Sequence, residues 1–71
     1  MFHVINWQYR NYTDRITGAE FAPRLHQSGR DVAVLDVATE GDAAPYEGSP
    51  DMTVLDDADY AAAFPNAGGE G

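Results

Sequence analysis

Histidine is the side chain in this 71-residue sequence best suited to metal binding or to acid–base chemistry near neutral pH. The chain contains His3 and His26 but no cysteine, so thiolate metal sites and disulfides are excluded. The spacing of the two histidines matches no known ligand pattern. We therefore predict no metal site, and expect His3 on the apolar face of a strand and His26 near a helix end.

The densest acidic cluster is Asp56-Asp57-x-Asp59. A calcium loop needs alternating oxygen ligands, a central glycine and a final bidentate glutamate, and these are missing here. Helix capping by Asp56, with two acids in the first turn, accounts for the same residues. Ser28 and Ser49 lie in no nucleophile motif, and the glycines form no phosphate-binding loop. The sequence therefore predicts neither a catalytic residue nor a cofactor, and indicates a protein that is not an enzyme.

Charge divides the chain at residue 31. All four arginines precede it, whereas residues 31–71 contain ten acids and no lysine or arginine, and the net charge is −8. Such a charge repels phosphate and anionic lipid, so we expect no direct binding to nucleic acid or membrane. No stretch approaches the roughly 20 apolar residues of a membrane span, and the first residues do not resemble a signal peptide. The predicted location is the cytoplasm or a virus particle.

Residues 31–38 are predicted to form the central strand of a small sheet, because apolar side chains occupy both of its faces. Residues 2–16 favour a β-hairpin turned at Arg10-Asn11. Residues 18–28 favour a short helix, because Thr17 and Glu20 have capping-box spacing. Pro23 leaves open a shorter helix that begins at that residue, with 17–22 as a turn.

The second half of the chain has fewer large apolar residues. Residues 39–51 read as loop, and Met52 begins a brief extended stretch. A second short helix is predicted over 57–64, closed by Pro65. The predicted fold class is therefore α+β, with a small core over 1–39 followed by an acidic loop, a short helix and a Gly-rich arm over 40–71. A chain this short buries only roughly 60% of the surface that its unfolded form exposes. We therefore expect partner proteins to cover part of the apolar surface of the central strand.

The final part of the chain reads Leu55-Asp-Asp-Ala-Asp-Tyr-Ala-Ala-Ala-Phe-Pro-Asn-Ala-Gly-Gly69. It resembles the ending of ubiquitin-like sulfur carriers of the molybdopterin type, which close with an apolar strand, Phe-Pro and Gly-Gly. The resemblance covers residues 55–69 and implies a β-grasp fold with a strand over 61–63. It also implies a thiocarboxylate on Gly69 after removal of Glu70-Gly71.

Aromatic and arginine residues near the N-terminus have the composition of protein–protein hot spots. Trp7 is open to a second interpretation, as the core anchor of a very small domain. The predicted partner-binding residues are Trp7, Tyr9, Arg10, Tyr12, Tyr46, Tyr60 and Phe64.

Our leading hypothesis is a non-enzymatic structural or adaptor protein that works as a small subunit of a homo- or hetero-oligomeric assembly. A virus particle is one such setting, with the chain as a minor capsid, decoration or tail component; this rests on protein class and not on a motif. The acidic half also allows an inhibitor that mimics nucleic acid, since carboxylates can occupy a site built for phosphates. The sulfur carrier is the third hypothesis.

Overall fold

A computed structural model describes residues 1–65. Its strands are β1 (Phe2–Asn6), β2 (Tyr12–Thr13), β3 (Glu20–Leu25), β4 (Asp31–Val37) and β5 (Met52–Asp56). Its helices are α1 (Glu40–Ala43), followed by a 3-10 turn over Ala44–Tyr46, and α2 (Asp57–Ala63). The fold is therefore α+β. Among these helices none is long and apolar enough to span a membrane, a statement limited to residues 1–65.

The five strands form one antiparallel sheet in the order β2-β3-β4-β1-β5. The strand expected at the centre, β4, holds that place between β3 and β1. Its Val32, Ala33 and Val34 are almost fully buried, as an apolar run on both faces requires. β1 is also paired on both sides, with β4 and with β5.

Each face of the sheet is covered by one short helix. On the face beneath α1 and the 3-10 turn, Val4, Phe21, Ala33, Ala43 and Tyr46 form the buried cluster. On the opposite face, beneath α2, the buried cluster consists of Ile5, Val32, Val34, Tyr60 and Phe64. The core is thus a sheet between two thin helical layers, and both halves of the sequence contribute to it.

The hairpin predicted over 2–16 is wrong, because β1 and β2 are separated by two other strands. A two-residue hairpin turn at Arg10-Asn11 needs positive φ angles, and within residues 1–65 only glycines have them. β2 instead pairs with β3, through Tyr12 opposite Phe21. The turn between them contains Gly18 at φ 75°.

The helix predicted over 18–28 is also wrong, because Glu20–Leu25 forms strand β3. A proline inside a helix costs about 3 kcal/mol, whereas β3 accepts one at Pro23, because the short strand β2 pairs only with Glu20 and Phe21. The His26 amide donates to the Arg30 carbonyl, which fixes the alternation of hydrogen-bonded pairs along β3 and β4. Pro23 then falls on a pair without hydrogen bonds, so its missing N–H faces away from β4. Thr17 still caps locally, since its hydroxyl accepts from the Ala19 amide.

The second helix is confirmed as α2, and Asp56 is its N-cap, accepting from the Asp59 amide at 2.8 Å. The strand that the sulfur-carrier resemblance implies over 61–63 is contradicted, because those alanines are helical. The loop predicted over 39–51 contains α1, capped by Thr39. Residues 40–65 do not extend from the core as an arm, because they supply β5 and both covering helices. Gly69 and the tail lie outside the described residues.

Candidate functional site

A polar cluster lies on the α2 face and is centred on His3. The register of β1 with β4 places His3 directly opposite Asp36. The Nδ1 atom of His3 lies 2.7 Å from Oδ1 of Asp36, and its Nε2 atom lies 2.8 Å from Oδ1 of Asp57 at the start of α2. The imidazole is only 8% exposed. One histidine therefore joins β1, β4 and α2.

Arg24 completes the cluster from β3. Its guanidinium donates to both Asp36 oxygens at 2.9 Å and also to the Tyr60 hydroxyl at 2.9 Å. The hydrogen bonds to Asp36 raise the pKa of Arg24 above its usual value. The Tyr60 ring in turn stacks on His3, with centroids 3.9 Å apart. The cluster thus ties four elements of the fold together.

Both carboxylates of the cluster are held in the charged form. Burial alone would raise the pKa of Asp36, but hydrogen bonds from Arg24 and His3 outweigh it and lower that pKa below the usual 3.8. The hydrogen bond from His3 lowers the pKa of Asp57 below 3.8 as well. Carboxylates accept and do not donate, so both contacts are satisfied together when both ring nitrogens of His3 carry hydrogen.

The chemistry of this cluster favours a structural role over a ligand site. Both nitrogens of His3 already have partners, and no serine or threonine hydroxyl is hydrogen-bonded to the ring. Across residues 1–65 there is no cavity, and no group of His, Asp and Glu side chains is arranged to hold a metal ion. What the arrangement does is fix α2 on the sheet.

Three of the predicted partner-binding residues are core residues in this fold. Tyr46 is 5% exposed, Tyr60 is 9% exposed and Phe64 is 1% exposed. Tyr46 packs edge-on against Phe21, and Phe64 stacks on Tyr60 with centroids 4.8 Å apart. Their aromatic surface is used within the chain.

Two others are half-buried. Trp7 packs on the α2-face cluster, and its Nε1 donates to the Thr53 hydroxyl at 2.9 Å. Tyr12 packs edge-on against Phe21 on the opposite face. Trp7 therefore packs mainly within its own chain, as its interpretation as a core anchor expects.

The remaining predicted residues lie together on the surface beside β2. Tyr9 is 51% exposed and stacks on Tyr12 with centroids 5.5 Å apart. Arg10 follows it and is exposed. The next turn presents Ile16, which at 94% exposure is the least covered large apolar side chain in residues 1–65, beside exposed Arg15. We call Tyr9, Arg10, Tyr12, Arg15 and Ile16 the arginine–aromatic end.

The turn that presents Ile16 is well braced. The Asp14 carboxylate accepts hydrogen bonds from the amides of Ile16 at 2.8 Å and Thr17 at 3.3 Å. The bond from the Ile16 amide lowers the pKa of Asp14. The Thr17 hydroxyl lies 3.1 Å from the Tyr46 hydroxyl, which joins the turn to the core. Hydrogen bonds to Asp14 and Tyr46 thus fix the backbone of the turn that exposes Ile16.

The two arginines of this end differ from the two others in the chain. Arg24 is paired with Asp36, and Arg30 donates to the Trp7 carbonyl at 2.9 Å. Arg10 and Arg15 form no ion pair and no side-chain hydrogen bond within the described part of the chain. Both unpaired cations therefore lie on the surface that also exposes Tyr9 and Ile16.

Sequence reasoning missed the exposure of Ile16 and missed the Arg24–Asp36–His3–Asp57 cluster. A hairpin over 2–16 turned at Arg10-Asn11 would place Ile16 opposite Ile5, but that hairpin does not form. An Asp at 14, two residues before Ile16 and followed by Gly18, was an available signal for a tight polar turn. No comparable local signal identifies the His3 cluster, because Asp36 and Asp57 lie far from His3 along the chain.

Comparison with family models, characterised proteins and solved structures gives no significant match.

Proposed function

We propose that the protein is a non-enzymatic structural or adaptor subunit that contacts a protein partner through its arginine–aromatic end. The observation that carries this proposal is Ile16, which stands 94% exposed in a braced turn directly after the unpaired Arg15. A domain this small has few large apolar residues, and exposed apolar side chains such as Tyr9 and Ile16 beside arginine are typical of a surface that contacts another protein.

The composition of the surface supports the same conclusion. Tyrosine, arginine and large aliphatic anchors supply much of the binding energy at protein interfaces. Tyr9 and Tyr12 are stacked, so part of the cost of ordering these side chains is already met within the fold. The unpaired charges of Arg10 and Arg15 would steer and orient an acidic partner.

The test is copurification of tagged full-length chain from its native source, with the bound proteins quantified by mass spectrometry. The variant is Ile16→Asp, and the matched control is Leu25→Asp, which changes another exposed apolar residue (40%) on β3. We expect a defined partner with the wild type and the control, and its loss with Ile16→Asp. Equal recovery with all three chains would overturn the proposed surface.

A further inference from the structure

Resting on the proposed function, we infer that the occupant of the arginine–aromatic end is a second copy of this chain, through the acidic edge of its sheet. The acidic edge comprises β5 and the start of α2, with Asp51, Asp56, Asp57 and Asp59. β2 and β5 are the two outer strands of the sheet. The two surfaces therefore lie at opposite edges of the same molecule.

The charges of the two edges are complementary. Arg10 and Arg15 lack partners at one edge, while the exposed carboxylates of Asp56, Asp57 and Asp59 stand at the other. No lysine exists in the chain, and no arginine follows residue 30. An acidic partner with this geometry is thus available in every other copy of the protein.

The β5 edge also offers unpaired backbone groups. The Trp7 amide donates to the Asp51 carbonyl in register with the β1–β5 pairs, so hydrogen-bonded pairs fall at odd-numbered residues of β5. The N–H and C=O groups of Val54 therefore face outward. Such an edge is a natural contact surface for another chain.

Charge also decides the orientation of the contact. Two arginine–aromatic ends facing each other would bring four unpaired arginines together, and two acidic edges would bring carboxylates together. Only the contact between unlike edges places opposite charges together. That contact is heterologous, so each copy keeps one edge free, and repetition yields a ring or a filament.

Two charge-reversed variants of the full chain test the inference. Arg10→Glu/Arg15→Glu makes both edges acidic, and Asp51→Arg/Asp59→Arg cancels the charge of the acidic edge, because two arginines then stand beside Asp56 and Asp57. The second avoids Asp56 and Asp57, which cap α2 and bind His3. A control, Glu40→Arg/Asp42→Arg, changes the net charge as much as the second variant but on α1. Circular dichroism verifies the fold of each chain before sedimentation velocity at low ionic strength.

We expect the wild type and the control to associate, with weakening as salt is raised. Each variant alone should associate at least about a hundredfold more weakly, because the first brings like charges together at the contact and the second removes the attraction between the edges. An equimolar mixture of the two should recover association between unlike variants, since Arg10 and Arg15 of the second face the intact acidic edge of the first. A monomeric wild type, or a mixture that stays monomeric, would overturn the inference. Either result leaves the proposed function to be judged by the Ile16→Asp copurification, which detects a partner of any kind.

Discussion

The Nε2 atom of His3 lies 2.8 Å from Oδ1 of Asp57, a contact between residues 54 positions apart that joins the first strand to the last helix. The other ring nitrogen of His3 contacts Asp36, which Arg24 also holds. The contact fixes the position of α2, which covers the apolar face that contains Ile5, Val32 and Val34. A rigid sheet is in turn what holds the exposed arginine–aromatic end in place.

Replacing His3 by phenylalanine separates the stacking of its ring on Tyr60 from its hydrogen bonds to Asp36 and Asp57. His3→Phe can keep a ring against Tyr60 while removing both hydrogen bonds, so we expect a loss of about 2 kcal/mol in the free energy of unfolding. His26→Phe is the matched control, because the His26 side chain forms hydrogen bonds only with the nearby Ser28, and this change should cost about 0.5 kcal/mol. Urea denaturation measures both, and equal losses would contradict the role of the cluster.

The pH dependence of stability follows from Asp36 and Asp57. The pKa of each carboxyl is lower in the folded chain than its usual 3.8, so the unfolded chain binds more protons on acidification. Their contribution to stability is complete above that value and is lost as the pH falls through the folded pKa. We expect Asp57→Asn to flatten the fall in urea midpoint between about pH 5 and pH 2. A variant that loses stability on acidification as steeply as the wild type would contradict this.

Phe64 tests whether the end of α2 belongs to the core. It is 1% exposed and packs against Tyr60 and His26. Phe64→Ala should cost about 3–5 kcal/mol, a large part of the stability of a small domain. Pro65→Ala changes the exposed neighbouring residue and should leave the melting temperature near that of the wild type. Equal melting temperatures for Phe64→Ala and Pro65→Ala would show that α2 is not packed on the sheet.

The elements predicted correctly are those whose signals are local. Val32 to Val37 carries apolar residues on both faces, which is enough to identify a central strand. Asp56 and the acids after it identify the start of α2 by capping. These patterns need no knowledge of a distant partner.

The errors concern contacts between distant residues. Thr17, Glu20 and Phe21 satisfy the spacing of a helix start, but Pro23 and pairing with β4 favour a strand. The choice of β4 and β5 as neighbours of β1 depends on register across the whole chain, which no short window contains. The same distinction applies to the candidate site. Tyr9 and Arg10 were predicted from local composition, whereas the exposure of Ile16 depends on the pairing of β2 with β3.

The most direct test of the central claim uses the isoleucine methyl groups as probes. The chain has two isoleucines, Ile5 at 0% exposure and Ile16 at 94% exposure. In methyl NMR spectra of isotope-labelled protein, titrated with the copurified partner or with unlabelled chain, the Ile16 signal should shift or broaden while the Ile5 signal stays fixed. Binding that leaves the Ile16 methyl signal unchanged would contradict the arginine–aromatic end as the contact surface.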